Sequence, residues 1–209
     1  MFQGKPKTIA ILAAAVVLAA GAVYLIGQGG GNPDAPSMSE AAARLDAAAT
    51  GEVANFTAKP EPAPIPDFSF RNGDGEELTL ADFRGKLVLL NIWATWCGPC
   101  REEIPELDRL QAELGSDRFE VVALSVDSKG ETLVRDFLAE VGAEALALYI
   151  DPTAKANFTL GAFGLPTTLL VSPEGLEIGR MVGPAPWASE DAKAFIEEAL
   201  ALYAPAGEG

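Results

Sequence analysis

The sequence predicts an α/β fold: a mixed central sheet flanked by helices, with a β-hairpin extension at its N-terminal side. Three observations carry this. From Phe68 onwards, strand-like and helix-like patterns alternate, and helices between strands imply crossovers with some parallel pairing. Residues 87–93, LVLLNIW, are an apolar, β-branched run too short for an independent helix, so they read as a buried central strand. The last two strand patterns are separated only by the turn Ser172-Pro173-Glu174-Gly175, so they pair back as a hairpin and make the sheet mixed.

Residues 9–27, IAILAAAVVLAAGAVYLIG, carry no charge and no strongly polar side chain. As a helix rising ~1.5 Å per residue they would cross most of a hydrocarbon core roughly 30 Å thick. Lys5 and Lys7 precede this run and no Lys or Arg follows until Arg44. The positive-inside bias therefore predicts a cytoplasmic stub over 1–8, a single transmembrane anchor over 9–27 and export of the remainder. The competing reading is a cleaved signal peptide, whose apolar stretch is usually about 7–15 residues. Residues 28–59 read as a linker: QGGGNPDAPS (28–37) is a breaker cluster. Residues 38–49 suggest a short helix, prone to fray, with Ser39 as its cap and Met38, Ala42 and Leu45 apolar. Residues 57–67 are Pro-rich and expected to be extended. The catalytic domain is expected over 60–205.

Within it, 68–70 and 76–80 flank the turn Asn72-Gly73-Asp74-Gly75 and form a hairpin, followed by a turn at 81–86. After strand 87–93, a helix opens near Cys97 and runs to about Leu114. Residues 119–126 are a second buried strand. Residues 130–141 place Leu133, Phe137, Leu138 and Val141 on one helical face, ended by Gly142. A short strand is expected at 147–150 and a short helix at 152–158. Strands 167–171 and 176–182 follow, then a last helix over 189–202 with Ala192, Phe195, Ile196, Ala199 and Leu200 inward. Phe68, Phe70, Phe119, Phe137 and Phe195 are expected in the core, and Asp127, Asp151 and Asp191 as caps or solvated loop acids.

Composition excludes several functions. The chain carries 30 acidic against 15 basic residues, a net −15. Such a surface repels phosphate backbones and argues against nucleic-acid binding. There is no histidine, which removes a His general base and His-held metal or haem. The only cysteines are Cys97 and Cys100. Zinc needs four ligands, so one chain cannot supply a thiolate site. No cofactor and no metal are expected.

The informative segment is NIWATWCGPCREEIP, 91–105. The spacing in Cys97-Gly98-Pro99-Cys100 puts both sulfurs on one side of a helical turn, where a disulfide closes easily. Cys97 at the helix N-terminus gains thiolate stabilisation from unpaired N–H groups and the dipole. Pro99 costs nothing in a first turn. Trp93 and Trp96 are expected to shield the pair and offer an apolar docking surface. A purely structural disulfide is the alternative.

The pattern DFRGKLVLLNIWATWCGPCREEIPEL resembles the TlpA, ResA and CcmG group of membrane-tethered, thioredoxin-like proteins, with GLPTTLLVSPEG (164–175) and VGPAPWASEDA (182–192) in support. The resemblance implies a thioredoxin-like fold and a thiol–disulfide oxidoreductase acting as a periplasmic reductant at the bacterial inner membrane, with a monomeric soluble domain. It implies that Cys97 is the attacking and Cys100 the resolving thiol. Pro166 would sit in a cis-proline loop, so Trp96, Gly98, Pro99, Leu165, Pro166 and Thr167 are the expected substrate-binding residues. Pro105 matches a proline that kinks the helix. Asn91 stands where ordinary thioredoxins have a buried aspartate, and Glu103, one turn after Cys100, matches a glutamate that handles the Cys100 proton. The plain alternative for Glu103 is a solvated surface acid, as expected for Glu102. Leu176 stands where some relatives have an extra cysteine. Implied partners are a CcdA- or DsbD-like membrane electron donor and, as substrates, copper chaperones, the CuA subunit of haem–copper oxidase or apocytochrome c. Rival readings are a disulfide-forming oxidase, a copper-binding metallochaperone module using the two thiolates, and a thiol peroxidase. Peroxidases of related fold place their reactive cysteine three residues after a threonine, whereas Ala94 stands three before Cys97.

Overall fold

In the computed structural model, residues 36–203 are described. The stub and anchor expected over 1–27 lie outside them, and among the described residues no helix is long and apolar enough to cross a membrane. The described residues, from Pro36 onwards, form one compact unit.

Helix α1, Met38–Ala48, opens with a capping box. Ser37 rather than Ser39 is the cap: its hydroxyl accepts from Glu40 N at 3.3 Å and its own N–H donates to the Glu40 carboxylate at 2.8 Å. Ala41, Ala42 and Leu45 are buried while Met38 is exposed. Covering of its apolar face opposes the fraying expected of so short a helix. Asp46 accepts from Ala58 N at 2.7 Å, fastening α1 to the strand that follows.

That strand, β1 (Thr57–Pro64), is extended as expected of the Pro-rich segment and has a sheet partner that the sequence did not reveal. It pairs antiparallel with β8 (Leu176–Val182), and its register slips between Ala58 and Ala63, around Pro60 and Pro62. Prolines lack the N–H a ladder requires, so they are confined to edges and irregularities. The hairpin β2 (Ser69–Asn72) and β3 (Glu77–Thr79) forms as expected. Asn72 Oδ1 accepts from the N–H groups of Asp74 and Glu76 within its turn.

The other strands are β4 (Leu87–Trp93), β5 (Phe119–Ser125), β6 (Tyr149–Ile150) and β7 (Thr167–Val171). One eight-stranded sheet runs β1-β8-β7-β4-β5-β6-β2-β3. β4–β5 and β5–β6 are parallel; the β4–β7 and β7–β8 pairings are antiparallel. Every residue of β4 is buried, as a strand with neighbours on both edges and layers on both faces demands. This is the thioredoxin-like α/β fold.

Helices α2 (Gly98–Leu114), α3 (Glu131–Glu140), α4 (Lys155–Leu160) and α5 (Glu190–Tyr203) complete the domain. In α3 Phe137 and Leu138 are buried as expected, joined by Val134, while Leu133 is exposed and Val141 half-buried. α4 starts three residues later than expected, after Ala154 adopts a left-handed conformation. In α5, Tyr203 is buried with Ala192, Phe195, Ile196 and Ala199, and Leu200 is half-buried.

Candidate functional site

β4 ends at Trp93, and the chain turns through Ala94–Trp96 into α2. Cys97 is the N-cap of that helix, and Cys100 lies one turn inside. The two form a disulfide with Cα atoms 5.2 Å apart. Cys97 is 7% exposed and Cys100 1%, so the first sulfur is the one nearer solvent. Cys97 Sγ accepts from Cys100 N at 3.3 Å, the backbone bond that also favours a thiolate there. Trp96 is 70% exposed, and Gly98 and Pro99 are exposed beside it. Trp93 is not a shield: it is buried against Phe137, with ring centroids 5.5 Å apart.

The antiparallel register pairs Ile92 with Thr167, so the residues before β7 lie at the same end of the sheet as the disulfide. The Leu165–Pro166 peptide is cis. Pro166 is buried and Leu165 half-buried. Pro166 O accepts from Gly183 N at 2.9 Å. Thr167 is fully buried, its hydroxyl donating to Gly164 O at 2.5 Å, so its side chain faces the protein. Phe163, just upstream, is 79% exposed.

Glu103 is not a surface acid. It is 2% exposed, while Glu102 lies in solvent. Pro105 sits within α2 just beyond it. Oε1 accepts from Trp187 Nε1 at 2.6 Å and from Ala185 N at 3.1 Å; Oε2 accepts from Asn91 Nδ2 at 3.0 Å. Burial raises its pKa to about 7, against these hydrogen bonds, which favour the anion. A cleft of about 260 Å³ between Glu102, Glu103 and Glu106 on α2 and Pro184–Pro186 leads to it.

Two features were missed in the sequence. Trp187 is fully buried and holds Glu103; its motif was noted, but nothing local showed where the indole pointed. Asp127 is buried, not a solvated loop acid. It accepts from Thr95 N and Thr95 Oγ1 and from Ser125 Oγ, each at 2.8 Å, and so anchors the turn leading to Cys97. Asp151 is buried too, but as a cap: it accepts from Thr153 N and Ala156 N at the start of α4. Among the described residues no cluster of acidic or thiol ligands could hold a metal ion.

Comparison with known proteins agrees with this geometry. The AhpC/TSA family model matches residues 62–176. The thiol-disulfide oxidoreductase ResA of Bacillus thuringiensis subsp. konkukian is 31% identical over 140 residues, 67% of this chain and 76% of that protein. The thiol:disulfide interchange protein CycY of Rhizobium leguminosarum bv. viciae is 38% identical over 108 residues, 52% of this chain. The chain matches little more than half the length of CycY, 56%, and 65% of the thioredoxin-like protein YneN of Bacillus subtilis. Among solved structures, a thiol:disulfide interchange protein DsbE from Chlorobium tepidum is 32% identical, with a TM-score of 0.59 over 68% of this chain and 97% of that one. The fold, the disulfide at the helix start and these matches place the chain in the AhpC/TSA family, among thioredoxin-superfamily thiol–disulfide oxidoreductases related to ResA, CycY and DsbE.

Proposed function

We propose that the protein is a membrane-anchored periplasmic reductant of disulfides in envelope proteins. The observation that carries the reading is the Cys97–Cys100 disulfide at the start of α2, with the first sulfur nearer solvent and the cis-proline loop at the same end of the sheet. In the reduced protein the Cys97 thiolate attacks a substrate disulfide. One substrate sulfur leaves as thiolate and a mixed disulfide forms. Cys100 loses its proton to Glu103 and attacks Cys97, which releases the second substrate sulfur. Two electrons pass to the substrate and the Cys97–Cys100 bond is restored. A membrane electron donor of the CcdA or DsbD type returns the pair to dithiol.

Trp96, Gly98 and Pro99 form the exposed rim on the Cys97 side. Because Pro166 has no N–H and its carbonyl is taken by Gly183, the substrate main chain is expected to pair at Leu165. The proposed substrates are copper chaperones, the oxidase CuA subunit or apocytochrome c. The anchor rests on the apolar run over 9–27 and the lysines before it.

The test is covalent capture. Cys100→Ser keeps the attacking thiol and removes the resolving one, so it should accumulate mixed disulfides through Cys97 that dithiothreitol dissolves. Cys97→Ser should capture few partners. Equal capture by the two variants contradicts the assignment, and mass spectrometry of the linked peptides identifies the sulfur that reacted.

A further inference from the structure

Asn91 lies wholly buried in β4, and its Nδ2 serves Oε2 of Glu103 and Oγ1 of Thr168, both at 3.0 Å. Its equally buried Oδ1 accepts no hydrogen bond. A side chain needed only to hold a carboxylate would gain nothing from that orphan acceptor, which costs free energy in a dry interior. The surplus oxygen is what a protonated carboxyl lacks.

The other partners of Glu103, Ala185 N and Trp187 Nε1, can only donate. When Oε2 carries a proton, it meets the Asn91 NH₂ donor against donor. Half a turn about the terminal amide torsion, which is broad and two-fold, brings Oδ1 to Oε2. The Glu103 O–H then donates to Oδ1. The Thr168 hydroxyl, able to donate or accept, reverses and donates to the same oxygen. One end of the amide stays unpartnered in either orientation, so its surroundings do not pin it to one of them.

We propose that Asn91 is the positioning residue for the Glu103 proton: a reversible amide that offers N–H to the carboxylate and C=O to the carboxylic acid, with Thr168 following it. This rests on the reading of Glu103 as proton acceptor for Cys100 and deepens it. In the resolving step the Cys100 S–H bond breaks, a bond to Oε2 forms, and the thiolate keeps the electron pair with which it attacks Cys97. In the oxidised protein Cys100, one turn earlier on α2, is held in the disulfide and does not titrate, so the titratable neighbours of Glu103 are Glu102 and Glu106 along the cleft. The hydrogen bonds to Glu103 come from Asn91 of β4 and from Ala185 and Trp187, with Thr168 of β7 bonded to Asn91 behind it, and none of these side chains is charged.

The experiment is side-chain NMR on the oxidised full chain from about pH 5 to about 9, a range that spans raised carboxyl values. Nuclear Overhauser effects between the Asn91 amide hydrogens and the Thr168 side chain should be strong above the Glu103 midpoint and weaken below it. In Glu103→Gln, whose amide donates as the acid would, they should stay weak throughout. Trp187→Phe removes a pure donor and should raise the Glu103 midpoint by about one pH unit. Asn91→Leu removes a partner of both forms and should move it by less than half as much. Effects constant across the midpoint, or an Asn91→Leu shift as large as that of Trp187→Phe, would overturn the inference while leaving Glu103 as proton acceptor. A Glu103 carboxyl that does not titrate in this range overturns both.

Discussion

A carboxyl group that is buried and titrates near neutrality leaves two marks, one on rate and one on stability. Glu103→Gln removes the proposed proton acceptor, so the resolving step should slow by on the order of tenfold or more and lose its carboxyl-dependent limb in stopped-flow measurements. The stability effect has a definite sign. The folded protein keeps the Glu103 proton up to about 7, whereas the unfolded chain gives it up near 4.5. Between those values the folded state binds more protons, so wild-type stability falls as pH rises and levels off above the folded value. Glu103→Gln lacks this contribution. Its stability relative to wild type should therefore climb between pH 4.5 and 7, by on the order of 2–4 kcal/mol, in urea titrations at a series of pH values. A difference that does not change with pH would return Glu103 to an ordinary carboxyl range. The reactive cysteines were legible in the sequence because CxxC spacing and the helix start are local. The environment of Glu103 was not, because Asn91, with Thr168 bonded behind it, and the 185–187 segment come from three distant parts of the chain.

At the scale of elements, the segment ahead of β2 belongs to the domain core. Phe56 packs on Phe195 of α5, with ring centroids 4.6 Å apart. It rests over Gly179 of β8, where an added Cβ would lie 2.4 Å from Phe56 Cζ and 2.7 Å from Thr57 O. Backbone as well as ring would have to move. Gly179→Ala should therefore destabilise the domain by about 1–3 kcal/mol, as overpacking does, and should loosen α1 and β1 first, seen as faster amide exchange there. Wild-type exchange in α1 and β1 would contradict this account. The strands and helices from β2 to α5 were readable because their periodicity and turn residues are strong, as in the all-buried run of β4 and the Asn72–Gly75 turn. β1 was not, because prolines at 60, 62 and 64 mask a strand that exists only through its pairing with β8. The cap moved from Ser39 to Ser37 because the partner that decides it, Glu40, fits a capping box from Ser37.

Across the whole molecule, the sheet order sets the chemistry. β4 lies between β5 and β7, so one strand delivers the disulfide helix and its antiparallel neighbour brings the cis-proline loop to the same end. The acidic surface, −15 over the chain, suits a protein that avoids polyanions and meets partners through a local apolar rim. Trp96 of the proposed rim is 70% exposed, and Phe163, just ahead of the cis-proline, is 79% exposed. What the shared fold does not decide is the direction of electron flow, since reductants and oxidases of this type differ chiefly in the relative stability of dithiol and disulfide. Equilibrating the protein with a dithiothreitol or glutathione series and quantifying the oxidised fraction measures that balance directly. The reductant reading predicts a potential well below that of the oxidant DsbA, about −120 mV; a value at or above it would contradict the account.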